Sequence, residues 1–256
     1  MNTNPPSPVP PQLPPGAASI HPVRPALGDD PAERVPVGNP IAAIEAILRQ
    51  PRRLMYSLRQ PGAGGLIFGM LFVAVVCSLI YGAVVGSFSG GTQWWAAPVK
   101  IAIGLLISTL ICLPSLYIFA SLSGSQARLA EMFGLVAGLL MLMTVLLVGF
   151  APVAWLFSQS TESLAWMGAL HIIFWIVSIT FGLRFLNAGF EHTQARSNAG
   201  LNTWIVIFTL VMLQMSTALR PLVGTADTFM PEEKKFFLSH WADCVDVSAN
   251  RRRGNN

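Results

Sequence analysis

The sequence predicts an all-α integral membrane protein in which five transmembrane helices form a compact bundle. Hydrophobic residues make up 53% of the 256-residue chain and charged residues only 11%, against about 25% charged residues in a typical soluble domain. The charges also collect in residues 24–59, in 184–196 and after 220, and the stretches between them are almost uncharged. This distribution is typical of a chain that lies mostly in lipid.

The N-terminal segment is rich in proline and contains the run PPSPVPPQLPP. Such a sequence has too few apolar residues to bury a core, so we expect residues 1–40 to be disordered or polyproline-like.

Residues 41–62 are expected to form a short amphipathic juxtamembrane segment. Asn39 can cap a helix, Pro40 suits its first turn, and apolar residues then follow at helical spacing until Pro51 ends it. A cluster of arginines could contact anionic lipid headgroups on the membrane surface. These arginines are Arg49, Arg52, Arg53 and Arg59. A soluble helix that binds a partner protein is the alternative.

A membrane domain over residues 63–222 follows, and a C-terminal tail over 223–256 completes the chain. The membrane domain holds five apolar runs of roughly 20 residues or more. At a rise of ~1.5 Å per residue, each run is long enough to cross ~30 Å of hydrocarbon. In lipid the backbone must satisfy its own hydrogen bonds, so each run is expected to be a helix. The predicted helices are about 65–88, 98–120, 132–157, 164–187 and 203–222.

The orientation follows from the basic residues near the helix ends. Four arginines precede the first helix, while Arg128 and Arg184 mark the second and fourth connections at the same face. We therefore expect the protein in the cell membrane with its N-terminus in the cytoplasm. Five spans would place the C-terminus outside, where Lys234 and Lys235 fit the rule less well.

Polar residues interrupt several of the predicted spans. Ionisable groups inside a membrane are functional candidates by default. The set that could form an intramembrane polar site is Lys100, Ser108, Thr109, His171 and Gln214. The alternative is that neither residue has a functional role. The Lys100 ammonium would then reach the interface along its aliphatic side chain, and His171 would only form a hydrogen bond to a neighbouring carbonyl.

Other residues of the spans have simpler expected roles. Pro114 should kink the second helix, for packing or as a hinge. The expected interface anchors are Trp94, Trp95, Arg184 and Arg220. Pairs of glycines at GxxxG spacing favour close helix packing.

Signatures of catalysis are missing from the sequence. It has no paired carboxylates within a helix, no phosphate loop and no Cys/His ligand spacing. We therefore predict no catalytic, cofactor-binding or metal site, no nucleic-acid partner, and a protein that is not an enzyme.

The layout resembles the YIP domain family of Rab/Ypt-interacting membrane proteins, and above all its uncharacterised bacterial members. The motifs that suggest this are APVK (97–100), LPSLYIF (113–119), Ala151–Pro152 and QMSTALRPLVG (214–224). The resemblance spans roughly residues 40–240 and implies five tightly connected helices after a cytoplasmic N-terminal segment. It implies no Rab-related role, because bacteria lack that machinery.

Two functions remain open from the sequence. The first is a non-enzymatic scaffold that organises membrane or partner proteins through helix packing, with membrane lipids, a membrane protein or a second copy as partner. The alternative is a small transporter or channel subunit with a polar cavity around Lys100, His171 and Gln214.

Overall fold

The computed structural model describes residues 26–218, except 90, 92, 161–163, 194 and 196. This part of the chain is helical and contains no strand. A 3-10 turn at Pro31–Arg34 precedes the helices α1 (Pro40–Arg49), α2 (Pro51–Arg59), α3 (Gly64–Ser89), α4 (Gln93–Leu122), α5 (Leu129–Ser160), α6 (Leu164–Glu191) and α7 (Ala199–Ala218). Residues 1–25, Arg220 and the predicted tail over 223–256 lie outside the described residues.

Within the described residues, four helices, α3 to α6, are long and apolar enough to cross a membrane. The predicted helical class of the protein is therefore confirmed, as are four of its candidate spans. The apolar part of α7 is shorter, covering Ala199–Met215, so its role as a fifth span stays a prediction.

The five long helices pack in the order α7–α4–α3–α5–α6. Helix α3 lies against both α4 and α5, α6 packs on α5, and α7 packs on α4, whereas α6 and α7 barely touch. The α5 helix forms the core, because 67% of its apolar window is buried, compared with 33% for α6.

Tight turns make successive helices antiparallel. Gly124 ends α4 with a φ of 78°, a left-handed conformation that suits glycine. The Ser125 N–H then donates to the Ala120 carbonyl at 3.0 Å, as in a Schellman motif. This turn returns the chain into α5 at the same end of the bundle.

Helices α1 and α2 form a cap over one end of the bundle. The Asn39 side chain accepts a hydrogen bond from the Ala42 N–H at 2.6 Å, which confirms the predicted helix start, and Pro51 opens α2 after the break at Gln50. The apolar face of α1 is buried against α3 and α5, and that of α2 against α5 and α6. The buried cap residues are Ala43, Ala46, Ile47, Leu54, Met55 and Leu58.

The described part of the proline-rich segment, residues 26–39, is folded onto the cap. Asp30 accepts a hydrogen bond from the Ala32 N–H and starts the 3-10 turn. Glu33 is buried, accepts from the Gly28 N–H at 2.6 Å, and pairs with Arg52 of α2. Composition alone missed this contact, because it depends on one carboxylate that meets a distant guanidinium.

Candidate functional site

Tyr81 and His171 form a buried polar pair between α3 and α6. The Tyr81 oxygen lies 2.6 Å from His171 Nδ1, and the two rings meet edge to face with their centroids 5.6 Å apart. Tyr81 is fully buried and His171 is 6% exposed. His171 also meets the edge of Phe174, which stacks on Phe150 of α5 at 4.7 Å. Aromatic packing from three helices therefore encloses the pair.

The His171 ring presents one nitrogen to the interior without a partner. We assign the Tyr81 hydroxyl as the donor to Nδ1, which places the ring proton on Nε2. Nε2 is buried and has no hydrogen-bond partner among the described residues. An unmatched buried donor is costly, so the imidazole is a candidate for a functional role.

Lys100 lies at the same depth as this pair. It follows the first residue of α4 by seven positions, as His171 follows the first residue of α6, which places both roughly 10 Å from those helix ends. Its exposed fraction is only 1%, so other residues of the protein cover its side chain. Whether Lys100 anchors the helix at the interface or belongs to an intramembrane polar site stays a prediction.

The remaining members of the predicted polar site are dispersed. Ser108 and Thr109 are buried, and the Thr109 hydroxyl donates to the Leu105 carbonyl of its own helix at 2.8 Å. Gln214 is exposed on α7, which packs on α4 and hardly touches α6. The structure thus joins His171 to Tyr81, buries Lys100 and leaves Gln214 exposed on α7.

A small space between α3, α4 and α5 lies elsewhere. Its volume of about 10 Å³ corresponds to a single water molecule. Its lining is Ala74, Val75, Ser78, Ala102, Leu105, Leu106, Leu140 and Thr144. Lys100, His171 and Gln214 do not line it.

Pro114 faces outward where α7 packs on α4. The Pro114 side chain is exposed, whereas Cys112, two residues earlier, is buried. The Cys112 carbonyl accepts a hydrogen bond from Trp204 Nε1–H of α7 at 2.8 Å. Ser115 also donates to the Cys112 carbonyl, at 2.7 Å. The Trp204 bond therefore ties the backbone two residues before the proline to α7, while the carbonyl that loses its partner to the proline is that of Leu110.

Exposed tryptophans surround the end of the bundle opposite the cap. Trp94 is 63% exposed and Trp95 54%. Trp155 near the end of α5 and Trp166 near the start of α6 are exposed as well. This arrangement suits an aromatic belt at a membrane interface. Arg184 lies nearer the cap end, with its guanidinium 5.9 Å from the Phe181 ring centroid.

Three of the four predicted headgroup arginines contact segments of the protein outside the cap helices. Arg52 pairs with Glu33, and Arg53 donates to the Val35 carbonyl at 2.9 Å. Arg59 donates to the His192 carbonyl at the end of α6. Arg49 stays exposed and pairs with Glu45 at 3.2 Å within α1.

Electrostatics reinforce the contact between the cap and residues 26–39. The Arg52 guanidinium, by its hydrogen bond, holds the pKa of Glu33 below the ordinary 4.5 of a glutamate, although burial acts in the opposite direction. Burial lowers the pKa of His192, and the charges of Arg52 and Arg59 lower it further. At neutral pH, His192 is therefore uncharged.

Sequence analysis missed several residues that these contacts involve. Tyr81 gave one signal, a hydroxyl within an apolar run that needs a partner in lipid. Glu33, Glu131 and His192 lie outside the apolar parts of the spans, where charged residues are common. Nothing in their spacing indicated that they lie beside the arginines of α2, where Glu131 Oε2 is 4.0 Å from Arg59 Nε.

Comparisons with protein-family models, with curated proteins and with solved structures find no match to this chain.

Proposed function

We propose that this chain is a non-enzymatic, YIP-like membrane protein of the cell membrane that organises membrane or partner proteins around a fixed cytoplasmic cap. Its four long apolar helices are those of a multi-pass membrane protein. In the proposal α7 is the fifth span, and the N-terminus is cytoplasmic.

The docked cap is the observation that carries this proposal. Two short helices bury one face each at the end of the bundle. Arg52 and Arg53 hold residues 26–39 on the cap, and Arg59 joins it to the end of α6. A rigid platform of this kind can present a constant surface to a partner, because its helices need not reorder on binding.

The orientation is supported by the position of the basic residues. Arg49, Arg59, Arg128 and Arg184 all lie toward the cap end of the bundle, where the positive-inside rule places the cytoplasm. Reporters fused to the two termini test this. Five spans with the cap inside predict a cytoplasmic N-terminus and an external C-terminus, and two termini on the same side would contradict α7 as a span.

Crosslinking in intact membranes tests the scaffold itself. A photoreactive residue at exposed Arg49 should give a discrete adduct with a protein or with a second copy of this chain. The matched control is a photoreactive residue at Phe68, which is 73% exposed in the apolar part of α3 and should crosslink to lipid. Only lipid adducts at both positions would contradict a partner-binding cap.

The burial of two ionisable residues, Lys100 and His171, favours a small transporter or channel subunit as a second candidate function. Lys100 and His171 lie at one depth inside the bundle, and intramembrane ionisable groups often mark pathways. The full chain in liposomes with a pH-sensitive dye tests proton flux directly. If the protein is only a scaffold, the proton flux should equal the leak that vesicles without protein show. A flux that Lys100→Ala and His171→Ala abolish, and Gln214→Ala leaves unchanged, would replace the scaffold with the transporter.

A further inference from the structure

Helix α7 lies at one edge of the row of five long helices. It packs on α4 and barely touches α6. Three of its large apolar residues, Leu201, Trp204 and Phe208, are buried, and Trp204 is bonded to the Cys112 carbonyl of α4. One side of α7 is therefore covered by α4, and the opposite side is exposed.

We call the exposed side the outer α7 face. Its residues are Thr203, Val206, Leu210 and Gln214. They follow one another at spacings of three or four, so they lie on one side of the helix, within about 80° around its axis. In a membrane span, apolar side chains such as Val206 and Leu210 can face lipid without a protein partner.

Gln214 is a polar side chain on this face that lacks a hydrogen bond. The Thr203 hydroxyl donates to the Ala199 carbonyl of its own helix at 3.0 Å, and the exposed Thr180 hydroxyl of α6 donates to the Ile176 carbonyl at 2.7 Å. The side-chain amide of Gln214 has no such bond among the described residues. Its two N–H donors and its carbonyl acceptor are therefore available.

Gln214 lies deep in the hydrocarbon if α7 spans the membrane. Helices α4 and α7 run in opposite directions, because Gly200 lies beside the Phe119 carbonyl and Trp204 meets Cys112. Gln214 lies about 15 Å beyond the Trp204 bond, toward the start of α4. The exposed tryptophans at the start of α4 are about 10 Å farther in the same direction, so Gln214 is inside the expected aromatic belt.

A carboxamide at that depth needs a partner that lipid cannot supply. Two copies of one chain have the same orientation in a membrane, so their twofold axis runs along the membrane normal. A residue near that axis then meets its own copy at the same depth. Glutamine suits this position, because each amide can both donate to its copy and accept from it.

We propose that the outer α7 face is the contact between two copies of this chain, with the two Gln214 amides hydrogen-bonded to each other. This inference rests on the proposed role of α7 as the fifth span, and not on the cap or its partner. Reporters at the two termini measure the topology separately. A confirmed topology with a monomeric chain would refute the dimer alone, and termini on the same side would refute both the span and the dimer.

Disulfide trapping in liposomes tests the position of the contact. The background is the full chain with its three cysteines replaced by alanine. Leu210→Cys, one turn from Gln214, should give a covalent dimer on oxidation. Ile173→Cys is the matched control, because Ile173 is 55% exposed on α6, at the other edge of the row, and it should remain monomeric. Equal yields at the two positions would contradict the outer α7 face as the contact.

The contribution of the amide is measured by energy transfer between labelled copies at a series of protein-to-lipid ratios. Gln214→Leu should weaken association about tenfold, because it removes the hydrogen bonds and keeps an apolar side chain of similar length. Gln214→Asn keeps a carboxamide and should restore most of the association. Thr180→Val is the control, because that hydroxyl bonds within its own helix, and it should associate as the wild type does. A wild-type chain that stays monomeric, or a Gln214→Leu variant that associates equally well, would refute the proposal.

Discussion

Alanine in place of Gly82 tests how α3 packs on α4. Gly82 lies where Pro98 of α4 crosses α3, and an added Cβ would lie 2.9 Å from the Pro98 nitrogen and closer still to its Cα. Both are backbone atoms, so no side-chain rotation can make room. The two helices must therefore move apart at this point.

The expected cost follows from this overlap. Ordinary contacts of a Cβ begin near 3.4 Å, so the Pro98 nitrogen alone must retreat by about half an ångström, and its Cα by more. Overpacking of a core costs about 1–3 kcal/mol, while alanine gains about 1 kcal/mol over glycine in a helix. Because both overlaps are with backbone atoms, we expect the upper end of the overpacking range, so that Gly82→Ala lowers the free energy of unfolding by about 2 kcal/mol, equivalent to a midpoint about 4–8 °C lower.

Thermal unfolding of the purified full chain in detergent provides the assay. Gly149→Ala is the matched control, because Gly149 also lies inside a long helix but has nothing within 4 Å of the place that an added Cβ would occupy. The control should unfold at the wild-type temperature or slightly above it. If Gly82→Ala also unfolds at or above the wild-type temperature, the close approach of α3 and α4 is refuted.

Three further substitutions test polar contacts. Trp204→Phe removes the bond to the α4 carbonyl and should cost about 1 kcal/mol of stability, measured by the same thermal assay; no loss would contradict that contact. Tyr81→Phe leaves His171 Nδ1 without its donor and should cost about 1–2 kcal/mol, whereas an unchanged midpoint would show that the pair is not formed. Glu33 has a lowered pKa because of Arg52, so the protection factor of residues 26–39 against hydrogen exchange, which corrects for the intrinsic rate at each pH, should be high above pH 4.5 and fall as the pH drops through the lower folded pKa. Glu33→Gln should have a low protection factor at every pH, and a pH-dependent protection factor in that variant would assign the effect to another group.

The helices themselves were predictable from the sequence. Each predicted span has an observed helix, and the differences lie at the ends, such as α6, which continues to Glu191 beyond the predicted 187. Apolar length defines a span, but capping and loop contacts decide where the helix stops. The Gln126 N–H donates to the Thr193 carbonyl. This contact joins distant parts of the chain, so no local sequence pattern predicts it.

The inward faces of the helices were much harder to predict. In water an apolar stripe marks the buried side of a helix, but in lipid both faces are apolar and that signal disappears. Small residues are a weaker signal for the buried side of a membrane helix. Of the glycines at GxxxG spacing, Gly134 and Gly138 meet Leu58 and Phe185 closely, whereas Gly65 has open space around it. The motif therefore indicated close packing without indicating which glycine makes it.

Polar contacts decide which helices pack against one another, whereas apolar packing alone does not. Lipid tails replace leucine contacts at little cost, so many apolar arrangements of five helices have similar energies. A misplaced helix that strands a hydroxyl, an indole N–H or a guanidinium has a much higher energy. Tyr81 with His171 joins α3 to α6, and Trp204 joins α7 to α4. These bonds connect helices far apart in sequence, so a few polar residues specify the order of the bundle even if none of them has a catalytic role.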